Sequence, residues 1–269
     1  MTVWPEDRAA LVAAQEALGR AAPPPWSRAE RPLRVGACYA CFTDDGAADG
    51  AAGTSDEPDP EHAATGWAAA VVTQGRRLLD AAVRGRPVTR AYRPGLLALR
   101  SGPLLEDTVR ALAVLPDVLL VNATGRDHPR RAGLALHLGS VLGLPTVGVT
   151  DRPLAAEGGW PADVFGAVAP LRLDGELVGY WVRTRPGAKP VAVHAAWRTS
   201  PDDAVEVVLA ATRRARTPLP LRRARQRARR ARTQGYRLSG TGRARSSAPR
   251  SGAAGSRRPS AGGARFPRA

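Results

Sequence analysis

The spacing of apolar residues along the chain predicts an α/β fold that begins with a helix and a group of strands. Residues 6–19 carry apolar side chains at helical intervals. Residues 33–42 form an apolar run of strand length. Two further apolar runs flank Gln74-Gly75, a dipeptide that favours a tight turn, so we expect antiparallel strands on either side of it. The elements predicted for this half are a helix at 6–19 and strands at 33–42, 67–73, 76–85 and 86–90.

The second half alternates strands with helices, which predicts one mixed sheet flanked by helices in a single α/β domain. Pro103 suits the first turn of a helix, which we expect to run to about Leu115. An apolar run at 116–122, a helical pattern and a second apolar run predict a strand–helix–strand unit with a parallel pair. Ser200 is expected to cap the last helix. The elements predicted here are helices at 103–115, 130–143 and 200–212 and strands at 116–122, 145–149, 176–184 and 189–195.

Basic charge is concentrated near the C-terminal end of the chain. The formal net charge is +16, but residues 222–269 hold 15 arginines and no acidic residue, which leaves 25 basic against 24 acidic residues in 1–221. We therefore predict a globular domain at 1–221 and a disordered basic tail at 222–269 that binds a polyanion without sequence preference. The first part of that tail is expected to be helical only when bound. Residues 43–66, rich in Asp, Gly and Ala, are predicted to form a mobile insertion.

Cysteine content and hydropathy exclude several classes of protein. Cys38 and Cys41 are too few for a disulfide framework. Three residues apart on a strand they would face opposite sides, so two buried thiols are favoured over a zinc site with His194. The sequence lacks both a run of about 18 apolar residues for a membrane span and the apolar segment of a signal peptide. We expect a soluble, cytoplasmic, monomeric protein that does not bind membranes.

Residues 116–149 carry the most specific pattern in the chain, PDVLLVNATGRDHPRRAGLALHLGSVLGLPTVGV. This stretch resembles the central block of the endonuclease V family. Further blocks in the same order resemble that family's first strand (RVGACYACF), Tyr-x-Pro-Gly loop (AYRPGLLALR), late strand and helix (KPVAVHAAWRTSPDDAVEVVLAAT) and closing segment (TPLPLRRAR). The resemblance covers roughly residues 4–228. It implies a ribonuclease H-like fold, a DNA-repair role and Mg²⁺-dependent hydrolysis of phosphodiester bonds near deoxyinosine or inosine.

The catalytic positions that the resemblance implies hold residues that bind Mg²⁺ poorly. Where the family pattern has Asp, Glu, Asp, His and Lys, this chain has Cys38, Ser101, Asn122, Trp197 and Asp151. Mg²⁺ prefers carboxylate oxygens, whereas a thiol, a hydroxyl and an amide are neutral near pH 7. We therefore predict an inactive metal site with no catalytic residue retained and no cofactor, and we expect Trp197 to fill the cleft. The alternative is an active Mg²⁺-dependent endonuclease with ligands drawn from Asp151, Glu106, Asp107 and His194.

A loop before the predicted helix at 103 suits binding to an unstacked base. Tyr92, Arg93 and Pro94 combine an aromatic ring, a cation and a rigid backbone, which favour stacking on a base and pairing with phosphate. The resemblance also implies a pocket for a flipped base, built largely from backbone. Its predicted positions are Gly95, Leu97 and Gly125.

A second predicted contact with nucleic acid lies just before an apolar helix. His128, Arg130 and Arg131 are expected at the helix N-terminus, where the helix dipole and unpaired N–H groups favour an anion. The first hypothesis is therefore an endonuclease V-like protein that binds single-stranded or damaged DNA, or RNA, without cleaving it. An interaction scaffold whose tail contacts nucleic acid is the third hypothesis, beside the active endonuclease.

Overall fold

The structure, a computed structural model, describes residues 4–28, 30–43, 64–90 and 95–235. Five helices lie within these ranges: α1 Arg8–Arg20, α2 Leu97–Arg110, α3 Leu134–Leu142, α4 Pro201–Ala211 and α5 Leu219–Thr233. The strands there are β1 Arg34–Phe42, β2 Ala64–Gln74, β3 Arg77–Val88, β4 Val118–Val121, β5 Thr146–Thr150, β6 Val168–Leu173, β7 Glu176–Val182 and β8 Val191–Ala195.

The eight strands form one mixed sheet in the order β3-β2-β1-β4-β5-β8-β7-β6. β1, β4 and β5 are parallel to one another, and the remaining neighbours are antiparallel. Helices α1, α2 and α3 pack on one face of the sheet, and α4 and α5 pack on the other. The predicted mixed sheet flanked by helices is confirmed, as is the parallel pair that α3 connects.

Side chains along β1 point alternately to the two faces of the sheet, and both faces are covered by helices. Cys38 packs with the helices of the first face, whereas Cys41 packs on the opposite face near α5. Both thiols are buried and not in a disulfide. This is the arrangement predicted from their spacing, because successive residues of a strand point to opposite sides.

Two predicted boundaries are wrong in the region before β4. α2 begins at Leu97, so Pro103 lies inside the helix rather than in its first turn. Burial of Ala98 and Leu104 against the sheet offsets the backbone hydrogen bond that a proline inside a helix removes. The separate strand predicted at 86–90 is instead the end of β3, which pairs continuously with β2 to Val88.

The predicted boundary of the domain at residue 221 is also wrong, because α5 continues to Thr233. Leu221, Ala224, Ala228 and Ala231 form its buried stripe against the sheet. These positions recur at helical intervals. Of the arginines between them, Arg223 and Arg227 are half-buried and the others are exposed. Residues 236–269 of the predicted tail and 44–63 of the predicted insertion lie outside the described residues. In the described ranges, no helix has the length and hydropathy needed to cross a bilayer.

Candidate nucleic-acid site

The carboxyl ends of the parallel strands carry the candidate site. β4 ends at Val121, opposite Cys38, whereas β1 continues to Phe42. The end of β1 thus pairs with β2 but has no partner on the β4 side, and a cavity of about 300 Å³ lies beside it. Its lining includes Cys38 from β1, Ser101 from α2 and Asn122 after β4. The fold thus brings together three of the five positions predicted from the family pattern. We call this space the Asn122 cavity.

Neutral and cationic groups line the Asn122 cavity. Among the described residues that form its wall there is no carboxylate. Burial raises the pKa of the Cys38 thiol, which therefore stays protonated at neutral pH. Arg100 from α2 and Arg229 from α5 contribute guanidinium groups, and that of Arg100 lies 4.0 Å from the centroid of the Phe42 ring. The described lining therefore holds two arginines and no carboxylate, unlike a site that attracts a divalent metal ion.

Trp197 lies at the other end of the sheet, so the prediction that it fills the cleft is wrong. The Thr146 N–H donates to the Trp197 carbonyl over 3.0 Å, and the Trp197 N–H donates to the Thr146 hydroxyl over 3.1 Å. Thr146 begins β5, whereas the site faces Thr150 at its end. Those two positions are about 13 Å apart along a strand. Because β8 is antiparallel to β5, the chain leaves β8 beside the start of β5, and Trp197 lies at the edge of the sheet opposite the site.

The acidic residues considered as replacement ligands are engaged in ion pairs. Asp151 lines a small space beside the Asn122 cavity, and Asn122 belongs to the lining of both. Glu106 and Asp107 do not line the Asn122 cavity. The pairs are Asp151–Arg216, Glu106–Arg110 and Asp107–Arg86. Within the described part of the chain, no three His, Cys, Asp or Glu side chains cluster in a way that could hold a metal.

The fourth proposed replacement ligand, His194, belongs to a buried cluster behind the site. Its Nε2 lies 2.7 Å from the Thr150 hydroxyl, and its Nδ1 lies 3.5 Å from a carboxylate oxygen of Asp127. Burial lowers the pKa of His194. Asp127 is itself fully buried and accepts backbone N–H groups from residues 154–156, over 2.6–2.8 Å. The cluster therefore holds the segment after β5 in place.

A larger cavity of about 680 Å³ adjoins the first, and we call it the Gly95 cavity. Leu97, Asn122 and Leu134 line both spaces, so the two cavities are neighbours. Gly95 has φ +76°, a conformation that favours glycine, and its carbonyl accepts a hydrogen bond from the Gln15 amide over 3.2 Å. Arg152 and Leu154 also contribute to the lining. Gly95 and Leu97 thus lie where the sequence placed a base pocket.

His128 supports the wall of the Gly95 cavity and does not begin a helix. The Arg130 N–H donates to His128 Nδ1 over 3.1 Å, so the ring proton is on Nε2, which lies 3.4 Å from the Gly95 carbonyl. Burial and the neighbouring Arg130 lower the pKa of His128 to about 4. The Arg130 guanidinium donates to the Gln15 side chain over 2.7 Å. These residues therefore fix the loop at Gly95 through α1.

The predicted anion site at the start of α3 is not formed as expected. The helix begins only at Leu134, after Gly133. Arg131 points to the β6–β7 turn, where it forms ion pairs with Asp174 and Glu176. An arginine used in this way does not offer its charge to the cavities, which neither Arg130 nor Arg131 lines.

Gly125 has a packing role that the sequence did not indicate. A Cβ atom at this position would lie 2.1 Å from the carbonyl oxygen of Ala195 in β8. The glycine is therefore required for close approach of two backbones, and it does not line the Gly95 cavity. Tyr92, Arg93 and Pro94 lie outside the described residues, so their predicted contact with a base stays a prediction.

Comparison with known proteins bears on the family and the fold of this chain. The family model described as endonuclease V matches residues 50–226. The chain belongs to the endonuclease V family. It is 41% identical over 140 residues to endonuclease V of Roseiflexus castenholzii, a match that covers 52% of this chain and 63% of that protein. The match therefore spans less than two thirds of this relative's length.

Solved structures of endonuclease V share the fold. The enzyme from Streptomyces avermitilis superimposes with a TM-score of 0.69 at 32% identity, covering 86% of this chain and 96% of that one. Endonuclease V of Ciona intestinalis, in complex with a 24mer DNA containing an inosine followed by a ribo-adenosine, superimposes with a TM-score of 0.67 at 18% identity. That match covers 84% of this chain and 97% of the Ciona chain. The mixed sheet is thus the ribonuclease H-like sheet of endonuclease V.

The residues of this endonuclease V homologue do not fit the Mg²⁺ ion that the family uses. A hard dication needs several oxygen ligands, preferably anionic. The described lining of the Asn122 cavity offers a protonated thiol, the hydroxyls of Ser101 and Tyr39 and one amide, together with two guanidinium groups that disfavour a dication. The family pattern indicated the three neutral positions. It gave no sign of Arg229, Arg100, Gln15 and Arg152, because these residues reach the two cavities only through contacts between distant segments.

Proposed function

We propose that this endonuclease V homologue binds nucleic acid without metal-dependent cleavage of the phosphodiester backbone. The observation that carries the proposal is the convergence of Cys38, Ser101 and Asn122 on one cavity whose described lining has no carboxylate. Activation of water and stabilisation of the leaving oxygen would both require an ion that this donor set does not attract. The active-endonuclease alternative loses support because its candidate ligands are paired elsewhere.

The Gly95 cavity is the proposed site for an unstacked base. Its volume of about 680 Å³ falls within the range of small-ligand pockets. Gly95 and the Asn122–Thr124 segment line it together with polar and apolar side chains, a combination that can accept a flat ring and hydrogen-bond its edge. Support also comes from the related Ciona protein, which was crystallised with inosine-containing DNA. Inosine, in DNA or RNA, is therefore the proposed base.

Binding and nicking should be measured together on the full chain. Single-stranded DNA and RNA oligonucleotides, each with one inosine or with guanosine at the same position, are incubated with EDTA, Mg²⁺ or Mn²⁺. We expect a lower dissociation constant for the inosine strands in EDTA and no metal-dependent nicking. Nicking by Mg²⁺ or Mn²⁺ that needs inosine would refute the proposal and support the active endonuclease.

Two leucine variants separate the cavity from general charge effects. Leu154→Glu places a carboxylate at the rim of the Gly95 cavity, whereas Leu115→Glu makes the same change at another exposed leucine, which does not line the cavity. We expect only the first to abolish the preference for inosine. If both variants bind like the original chain and deletion of 236–269 removes all binding, the scaffold hypothesis replaces this one.

A further inference from the structure

We propose that arginine side chains take the place of the divalent cation in the Asn122 cavity and bind one phosphate of the nucleic-acid backbone. This inference rests on the proposed function and adds the chemistry of the contact. The phosphate would lie among Arg229, Arg100 and the Asn122 amide, and no bond would be made or broken.

The packing of α5 fixes Arg229 at the cavity. Ala228 and Ala231 are buried against the sheet, which sets the rotation of the helix. Arg232 anchors the same turn, because its guanidinium donates to the carbonyl of Phe42 at the end of β1 over 2.8 Å. Arg229 is exposed at its outer surface, yet it contributes to the wall of the Asn122 cavity. A solvated guanidinium at the mouth of a buried space is well placed to meet an anion that enters.

Arg225 extends the same cationic surface by one helical turn. It lies four residues before Arg229, so the two side chains project from the same side of α5. Its guanidinium lies 5.8 Å from the centroid of the Tyr39 ring, and it lines the small space that shares Asn122 with the cavity. The acidic neighbour in that space, Asp151, is already paired with Arg216.

The remaining groups of the cavity complete a site for an anion. Arg100 lines it from the opposite side, on α2, and is held over the Phe42 ring. Ser101 and Asn122 can each donate a hydrogen bond. Guanidinium groups bind phosphate oxygens in a planar, bidentate geometry. Two arginines, neutral hydrogen-bond donors and no carboxylate in the described lining therefore favour a phosphodiester and disfavour Mg²⁺.

Salt dependence of binding tests this contact directly. The full chain is titrated with an inosine-containing single strand in EDTA, and the logarithm of the binding constant is plotted against the logarithm of salt concentration. Arg229→Gln should weaken binding about tenfold and reduce the slope by about 0.7, the value for one lost phosphate contact on a single strand. Arg230→Gln is the matched control, because Arg230 is exposed on the same helix and does not line the cavity.

Neutral phosphate analogues locate the contact on the nucleic acid. Methylphosphonate replaces each phosphate of the strand in turn. The resulting increase in the dissociation constant is measured for the original chain, for Arg229→Gln and for Arg230→Gln. At one position near the inosine, we expect the methylphosphonate to weaken binding to the original chain but not to the Arg229 variant. The Arg230 variant should keep the full cost at that position.

The outcomes separate this inference from the proposed function. One outcome is that the original chain binds in EDTA while both arginine variants keep its salt-dependence slope and lose the same binding free energy as the original chain at every methylphosphonate position. In that case the inference is wrong, and metal-free binding stands. If the original chain binds inosine strands only with Mg²⁺ or nicks them, the proposed function itself fails. Circular dichroism spectra and urea denaturation curves of both variants should match those of the original chain, since both side chains are exposed. A lower free energy of unfolding in the Arg229 variant alone would also refute the inference.

Discussion

Mild acid should destabilise this protein because it buries histidines in the neutral form. His128 and His137 are buried, and burial lowers the pKa of each to about 4 from the usual 6.5. Neither nitrogen of the His137 ring has a hydrogen-bond partner among the described residues, and the ring lies 4.5 Å from that of Trp4. His194 is also buried, but the Asp127 carboxylate beside it favours its charged form in part, so the prediction concerns the rings of His128 and His137.

The direction of the change in the free energy of unfolding depends on whether the folded or the unfolded state takes up protons first as pH decreases. Between about pH 6.5 and pH 4, the unfolded chain carries protonated histidines while the folded chain keeps the two rings neutral. The unfolded state therefore binds more protons, and the free energy of unfolding falls as pH decreases. From pH 7 to pH 5 the two pKa values give a loss of about 1.8 kcal/mol for each ring. Together this is about 4 kcal/mol, a large share of the roughly 5–15 kcal/mol that stabilises a typical domain.

Urea denaturation at pH 7 and pH 5, followed by tryptophan fluorescence, measures this loss, and His137→Phe isolates one ring. Phenylalanine keeps a planar ring against Trp4 but cannot be protonated. The variant should lose about 1.8 kcal/mol less than the original chain between the two pH values. Any constant change in packing cancels, because only the difference between pH values is compared. An identical loss in both proteins would show that His137 is not buried as a neutral ring.

Three further predictions concern the supports of the site. Asp127→Asn should lower the free energy of unfolding in urea by about 2–4 kcal/mol, because its amide would face three backbone N–H donors; an unchanged midpoint would contradict this role. A chain truncated just after α5 should keep the full chain's midpoint, whereas truncation just before α5 should cost about 2 kcal/mol or more, and equal midpoints would show that α5 is not part of the domain. The double variant Cys38→Asp/Asn122→Asp should bind Mn²⁺ less tightly in calorimetric titration than the triple variant that also carries Arg229→Gln, since the guanidinium competes with the ion for the carboxylates. Equal affinities of the two variants would argue against a cation at position 229.

Local patterns predicted those elements whose apolar runs have strand length and are bounded by turn residues. β1, the β2–β3 hairpin and β4 are such elements, and the Ser200 cap of α4 was visible as well, because its hydrogen bonds are local. α5 was missed because its buried stripe is mostly alanine, a weak apolar signal among many arginines. β6 was missed because it is an edge strand with a proline and several exposed residues.

The sequence by itself determined which chemical groups stand at the positions of the family pattern: a thiol, a hydroxyl and an amide in place of three carboxylates. The tertiary structure decided which groups meet. It placed Trp197 at the opposite end of β5, used Arg130 and Arg131 to hold loops, and brought Arg229 to the Asn122 cavity. The reason is physical: a side chain's chemistry is local, whereas its neighbours depend on strand direction and helix rotation, which are set by the burial of residues far apart in the chain.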